Sequence, residues 1–349
     1  MIRLLFKGLL ALLGLALLGF GGVSCVYSAP PYRGPVSDHF DGERFHNVPP
    51  DQDKEFGDLL EWQRHRVRGS WPARVENREW PRPPARVGAG QLLVTFINHA
   101  TTLVQIDGIN VLTDPIYSLR ASPVSFAGPV RVRDPGVRFE DLPPIDAVVV
   151  SHNHYDHLDL ATLARLVARD HPKIFVGLGN ELLLAREGIE GAVPLDWHQS
   201  VELGSVHITA VPTRHWSSRW ITDRRVALWA AWIIRGPVAG QVYFAGDTGY
   251  GAQFADAKAR YGAMRLALLP IGAYKPEWFM KDHHMSPDDA LRAHADLGAE
   301  TSVAIHFGTF ALGDDGYAEA PRVLRERAAE QRARFVVLDQ GESLRLDPR

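Results

Sequence analysis

The chain of 349 residues has a single cysteine, Cys25, so no disulfide can form within it and no thiolate metal site can be built. Any metal must be held by imidazole and carboxylate groups. Neither sign of charge is in excess. Lys and Arg total 38 against 41 Asp and Glu, a net charge of −3, which gives no electrostatic case for nucleic acid as a partner. Long apolar runs are equally scarce: the only one is residues 8–23. With 46% hydrophobic and 23% charged residues there is material for a substantial core, and disorder throughout is excluded.

Histidine, by contrast, is plentiful at 15 copies, and four ligand-type side chains crowd one stretch. The apolar run 145–150 leads into Ser151-His152-Asn153-His154-Tyr155-Asp156-His157-Leu158-Asp159. Neutral imidazole and carboxylate are ligands that zinc accepts, and His-x-His-x-Asp-His at the end of a buried strand lets one tight loop aim them at two adjacent points. The spacing predicts half of a two-metal site, with the remaining ligands supplied by distant sequence.

Residues 1–28 read as a leader. Arg3 and Lys7 precede the apolar stretch, which is shorter than the ~20 residues of a comfortable membrane span. Ser24-Cys25 resembles a bacterial lipoprotein processing site, and an uncleaved anchor with an incidental cysteine is the alternative. Both place the catalytic part in the cell envelope, membrane-tethered on the non-cytoplasmic side. Residues 29–90 form an arm rich in Pro, Arg and Trp, with room for one helix over 53–68. Its Trp62, Trp71 and Trp80 suit either a membrane surface or lid, or burial on the flank of the domain.

Residues 91–349 read as the catalytic domain. Strands are expected over 92–97, 102–106 and 110–113, then a long loop whose Arg120, Arg131 and Arg133 are available for an anionic substrate or for solvent. Further strands are expected over 173–176, 206–211, 226–234, 241–245, 266–269, 301–305 and 335–338, with helices over 160–169, 180–186, from Ser286, and over 318–334. Four strands therefore end in ligand-type residues: the His/Asp loop, His215, Asp247 and His306. Strand ends at one sheet edge converge on one crevice, giving two sets of three N/O ligands with one carboxylate shared.

With these residues in place the chain resembles the metallo-β-lactamase superfamily. The wording of 113–116, 151–159, 244–250, 270–274, 278–281 and 306–312 narrows the likeness, which runs from about Leu93 to Ser343, to the N-acyl-phosphatidylethanolamine-hydrolysing phospholipase D family. That resemblance implies an α/β fold, a four-layer αββα sandwich with two Zn2+ ions, iron and manganese being the other candidates. It implies that His152, His154 and His215 hold one ion, that Asp156, His157 and His306 hold the other, and that Asp247 bridges them. Asn98 stands where the family usually has Gly, and Asp282-His283 replaces Tyr-Gln before His284, a position close to the family's active site.

The expected chemistry is hydrolysis of a phosphodiester in a phospholipid at a membrane surface. A hydroxide between the metals attacks phosphorus, oriented by catalytic Asp156, while catalytic His284 or a neighbour protonates the leaving alcohol. Two other readings stay open: a metal-dependent lactone or ester hydrolase, and an envelope-tethered metal-binding protein without catalysis.

Overall fold

The computed structural model describes residues 24, 26–51 and 54–347. The leader expected over 1–28, Cys25 included, thus lies almost wholly outside the described residues. Among those described, no helix is long and apolar enough to cross a membrane.

Two seven-stranded sheets pack face to face. The first is built from β1 (Leu92–Asn98), β2 (Thr101–Ile106), β3 (Ile109–Thr113), β4 (Ala147–Val149), β5 (Lys173–Gly177), β6 (Val193–Leu195) and β14 (Ser343–Leu346), in the order β14-β1-β2-β3-β4-β5-β6. The second contains β7 (Ser200–Leu203), β8 (Val206–Val211), β9 (Ala231–Gly236), β10 (Gly240–Phe244), β11 (Leu266–Pro270), β12 (Thr301–Ile305) and β13 (Phe335–Val336), in the order β13-β12-β11-β10-β9-β8-β7. Each sheet is antiparallel on one side and parallel on the other. The parallel portions are apolar runs because helices cover their outer faces, and they bring successive strands out at one edge.

Phe96, Val104, Val149, Trp229, Trp232, Phe244 and Ile305 fill the space between the sheets, all essentially inaccessible. Outside the first sheet, α2 (Leu160–Asp170) and α3 (Asn180–Arg186) bury Leu163, Leu166, Leu183 and Leu184. Outside the second, α4 (Gln253–Tyr261), α6 (Pro287–Asp296) and α7 (Glu319–Gln331) bury Phe254, Leu291 and Leu324. The layers run helix, sheet, sheet, helix, as the αββα expectation requires. Ser286 begins α6 with a reciprocal capping box to Asp289 and Pro287 in the first turn.

Some expected boundaries differ for physical reasons. The strand expected over 226–234 starts only at Ala231, because Leu228 N–H donates to Leu178 and Ala230 N–H to Ser151. That backbone stitches the second sheet's loops to the first sheet instead of extending a ladder. The closing strand expected over 335–338 is two residues long, and β14, which sequence reasoning missed, completes the first sheet beside β1. The arm's helix, α1 (Phe56–Arg64), is shorter than 53–68.

The arm's tryptophans point at the domain. Trp62 Nε1 donates to Asp314 at 2.6 Å, Trp71 Nε1 to the Asp315 carbonyl at 2.8 Å and Trp80 Nε1 to Asp339 at 3.4 Å. Phe40 and Phe45 enter the central core. These tryptophans follow the flank reading, not the membrane or lid reading. Full burial of one such aromatic ring contributes ~2–3 kcal/mol, enough to strap the arm down.

Candidate metal centre

The His/Asp loop is fixed at both ends before any ligand is considered. Ser151, directly after β4, is held through its N–H and its hydroxyl by the Asp114 carboxylate at 2.7 and 2.5 Å. Residues 154–158 then turn tightly, with Leu158 N–H donating to the His154 carbonyl at 2.9 Å. Asp159 ends the loop by capping α2 and by accepting from Tyr117 and Ser118 N–H. From the second sheet, β8 delivers His215, β10 delivers Asp247 and β12 delivers His306. Gly246 has to be glycine: its φ is +60°, and a Cβ there would lie 2.3 Å from the Ser151 Cβ. That close approach brings Asp247 up against the loop of the opposite sheet.

All seven residues expected to hold metal are brought together in two adjoining groups. In the first, His152 Nε2 lies 2.8 Å from His154 Nδ1, which lies 3.3 Å from His215 Nε2. In the second, Asp156 Oδ2 lies 3.2 Å from His157 Nε2 and 3.4 Å from His306 Nε2. Asp247 Oδ2 faces both groups, 3.2 Å from His157, 3.0 Å from His306 and 3.9 Å from His215.

Ring orientations are set from behind. His157 Nδ1 donates to Asp114 at 2.6 Å and His215 Nδ1 to the His283 carbonyl at 3.0 Å, leaving each Nε2 free to face inward. The Ser151 hydroxyl lies 2.9 Å from His152 Nδ1. Burial, reinforced by neighbouring imidazoles, holds His152 and His215 well below the usual histidine range. Burial also pushes the Asp156 and Asp247 carboxyls up, but His157, helped by hydrogen bonds to both carboxylates, outweighs it and keeps them well below the usual carboxylate range. His152 and His215 are therefore neutral rings and both carboxylates are ionised. Burial would lower His157 and His306 too, but Asp247 and Asp156 outweigh it, holding His157 well above the usual histidine range and pushing His306 up to about 9.

Such a set fits a pair of cations. The inward nitrogens of His152 and His215 lie 2.8 and 3.3 Å from that of His154, which brings lone pairs together, and buried His157 Nε2 and Asp247 Oδ1 have no hydrogen-bond partner. Buried polar atoms left this way are costly unless a ligand satisfies them.

Two residues that sequence reasoning passed over complete the centre. His99, fully buried after β1, places Nε2 2.9 Å from Asp156 Oδ2 and its ring centroid 4.1 Å from that of His306. Asp114, after β3, is the common acceptor for Ser151 and His157. His99, Asp114 and His306 all have positive φ, at 46°, 33° and 59°, a conformation non-glycine residues hold only under surrounding constraint. His284 is placed close by: its Nδ1 is 3.9 Å from Asp247 Oδ2 and its side chain is 16% exposed, so it overhangs the two groups from the mouth. Burial holds its imidazole down to about 4.

The loop arginines are corrected. Arg131 is buried and donates to the Ser118 and Ile116 carbonyls, Arg133 binds Asn77 and Asp339, and Arg120 binds the Ser125 and Gly128 carbonyls. They brace the loop instead of facing a substrate.

Residues 109–307 match the beta-lactamase superfamily domain, more than half of the chain. The chain belongs to this superfamily. An uncharacterized protein of Mycobacterium tuberculosis is 40% identical over 268 residues, 75% of this chain and 70% of the relative. N-acyl-phosphatidylethanolamine-hydrolyzing phospholipase D 1 of Caenorhabditis elegans is 38% identical over 268 residues, 72% of this chain and 75% of its own. Among solved structures, isothiocyanate hydrolase from Delia radicum gut bacteria aligns with a TM-score of 0.59 at 22% identity over 74% of this chain and 100% of that one, a likeness of fold. With its clustered His and Asp donors, this superfamily member is a metal-dependent hydrolase of the metallo-β-lactamase fold.

Proposed function

We propose that the protein is a phospholipase D-type phosphodiesterase that acts on N-acyl-phosphatidylethanolamine-like lipids with two zinc ions, at a phospholipid surface of the cell envelope. The observation that carries hydrolysis is Asp247 Oδ2 set between two groups of imidazoles. The lipid is supported by the name of the Caenorhabditis elegans relative.

His152, His154 and His215 would hold one ion, Asp156, His157 and His306 the other, with Asp247 shared. Bound zinc supplies Lewis-acid activation of water at neutral pH and neutralises charge on the phosphoryl oxygens. The chain's own residues do the rest. Asp156, ionised and fixed by His99, accepts a hydrogen bond from the attacking water and aims its oxygen at phosphorus. His284 is a neutral ring at neutral pH, so it donates an N–H hydrogen bond to the leaving oxygen instead of arriving as imidazolium. The new bond joins water oxygen to phosphorus, and the bond from phosphorus to the ethanolamine oxygen breaks. The water's proton ends on the leaving alcohol, giving an N-acylethanolamine and phosphatidate.

Incubation with N-acyl-phosphatidylethanolamine in 18O-water tests this. Label in phosphatidate supports P–O cleavage. Label in a released fatty acid, or turnover of a lactone with the phospholipid untouched, would replace it with the ester-hydrolase reading.

A further inference from the structure

The ladder between β8 and β9 ends at the pair Val211–Ala231, and the segment that carries His215 runs on outside either sheet. His215 is 1% exposed, so its backbone N–H and C=O need partners that the ladder does not supply. A single side chain of the arm meets both. His215 N–H donates to Asn47 Oδ1 at 3.3 Å, and Asn47 Nδ2 donates to the His215 carbonyl at 2.9 Å. The carboxamide stands in for the peptide group of a neighbouring strand.

Asn47 is itself held, because the rest of its hydrogen-bonding capacity is used as well. Oδ1 also accepts Trp229 Nε1–H at 2.9 Å, and Nδ2 also donates to the Asp51 carboxylate. Two acceptances and two donations exhaust a carboxamide, and the pattern fixes which end is nitrogen. These partners are anchored in turn. Trp229 belongs to the central core, and Asp51, its side chain 1% exposed, is also bound by Arg214, the residue before His215. Arg214 N–H donates to Thr248 Oγ1 at 3.0 Å, and its carbonyl accepts from Gly249 N–H at 2.9 Å. The segment is therefore tied to the Asp247 loop on one side and to the arm on the other. The His215 ring is held separately, by the carbonyl of His283, which follows α5 (Glu277–Met280).

We propose that Asn47 is a positioning residue of the metal centre, which sets through the His215 backbone where the first ligand group places its third nitrogen. The arm then does more than cover the flank of the domain. It completes the group of His152, His154 and His215 and leaves that of Asp156, His157 and His306 to the sandwich itself. A ligand group works only within about 0.5 Å of its productive geometry, so a small slip of this backbone is enough to weaken it. The inference rests on the two-metal reading of the ligand groups and is independent of the lipid.

Zinc competition against a chromophoric chelator, on the full chain stripped of metal, tests it. The wild type should bind two equivalents, and His215→Ala marks which of them belongs to the first group. Asn47→Leu, similar in size and without hydrogen bonds, should weaken that equivalent about 10- to 100-fold and leave the other within about twofold. Asn47→Ser, whose hydroxyl can take one of the two His215 bonds, should show the same split at about tenfold, and it carries the test if Asn47→Leu does not fold. In a His215→Ala background neither change should weaken the remaining ion further. Phe40→Leu loosens the arm where it enters the central core, and should lower the urea midpoint of the stripped protein with both zinc affinities unchanged. Unaltered zinc binding in the Asn47 variants, equal weakening of both ions, or the same split in Phe40→Leu would overturn the proposal. A wild type that binds fewer than two ions would dismiss the two-metal reading instead. A single ion weakened in Asn47→Ser would then keep the positioning role, and one left unchanged would overturn it.

Discussion

Asp114 offers the sharpest perturbation, because it touches no substrate and yet holds the centre together. Its Oδ1 accepts Ser151 N–H, and its Oδ2 accepts both the Ser151 hydroxyl and His157 Nδ1–H, all at 2.7 Å or less. Asp114→Asn keeps the shape and replaces one acceptor by a donor. If the amide nitrogen takes the Oδ1 position it opposes Ser151 N–H. If it takes the Oδ2 position, His157 must turn its proton to Nε2, the atom that faces Asp156 and Asp247 at 3.2 Å. Either outcome removes a ligand in its required tautomer or displaces the loop that carries three others. Loss of such a supporting partner lowers metal affinity about 10- to 100-fold, or ~1.4–2.8 kcal/mol. The buried unpaired donor should also destabilise the metal-free protein by ~1–3 kcal/mol. Zinc competition against a chromophoric chelator, alongside denaturant unfolding of stripped protein, measures both. Wild-type zinc affinity in Asp114→Asn would refute the tautomer argument.

Other perturbations separate holding from chemistry. Asp247→Ala should lose metal from both groups together with turnover, whereas His284→Ala should keep its metal and lose about 100-fold in kcat; metal analysis of the two variants beside their rates checks this. His99→Gln should retain metal and KM while kcat falls about tenfold, since only the aim of Asp156 is loosened; a KM change without a kcat change would contradict that positioning role. His39 gives a pH signature away from the metals. Burial alone would lower its imidazole, but Asp196 at 2.8 Å and Asp38 at 2.6 Å outweigh it and hold it above the ordinary value of 6.5. Because the folded state binds this proton more tightly, the added stability is full below that value and fades as pH rises through the raised one. Urea midpoints should therefore drop as pH rises above 6.5 and through the raised value, and His39→Gln should flatten that slope.

The densest part of the site was the most legible in sequence. Four ligand-type residues in six positions need no fold to be noticed, and His215, Asp247 and His306 followed from one rule, that strand ends at one sheet edge converge on one crevice. His99 follows β1 and Asp114 follows β3 in the same way, so the rule would have found both had it been applied to the first three strands. Arg131 was opaque for another reason. Its partners are backbone carbonyls, which every sequence possesses, so nothing in the loop's wording distinguishes a brace from a substrate contact. The Val226–Ala230 stretch has strand composition, yet its hydrogen bonds cross to Leu178 and Ser151 of the other sheet. Pairing across sheets is a tertiary choice that local propensity cannot encode. The short β6, β7 and β14 are legible only once their neighbours exist to pair with them.

The central claim is that two groups of ligands sharing Asp247 hold two metal ions that together cut a phospholipid phosphodiester. Stepwise zinc titration of chelator-stripped protein, following N-acylethanolamine and phosphatidate release from N-acyl-phosphatidylethanolamine, tests it most directly. Turnover should be absent in stripped protein and reach its plateau only at two equivalents of zinc. Full turnover after stripping, or zinc-saturated protein that leaves the phosphodiester intact, would contradict the account.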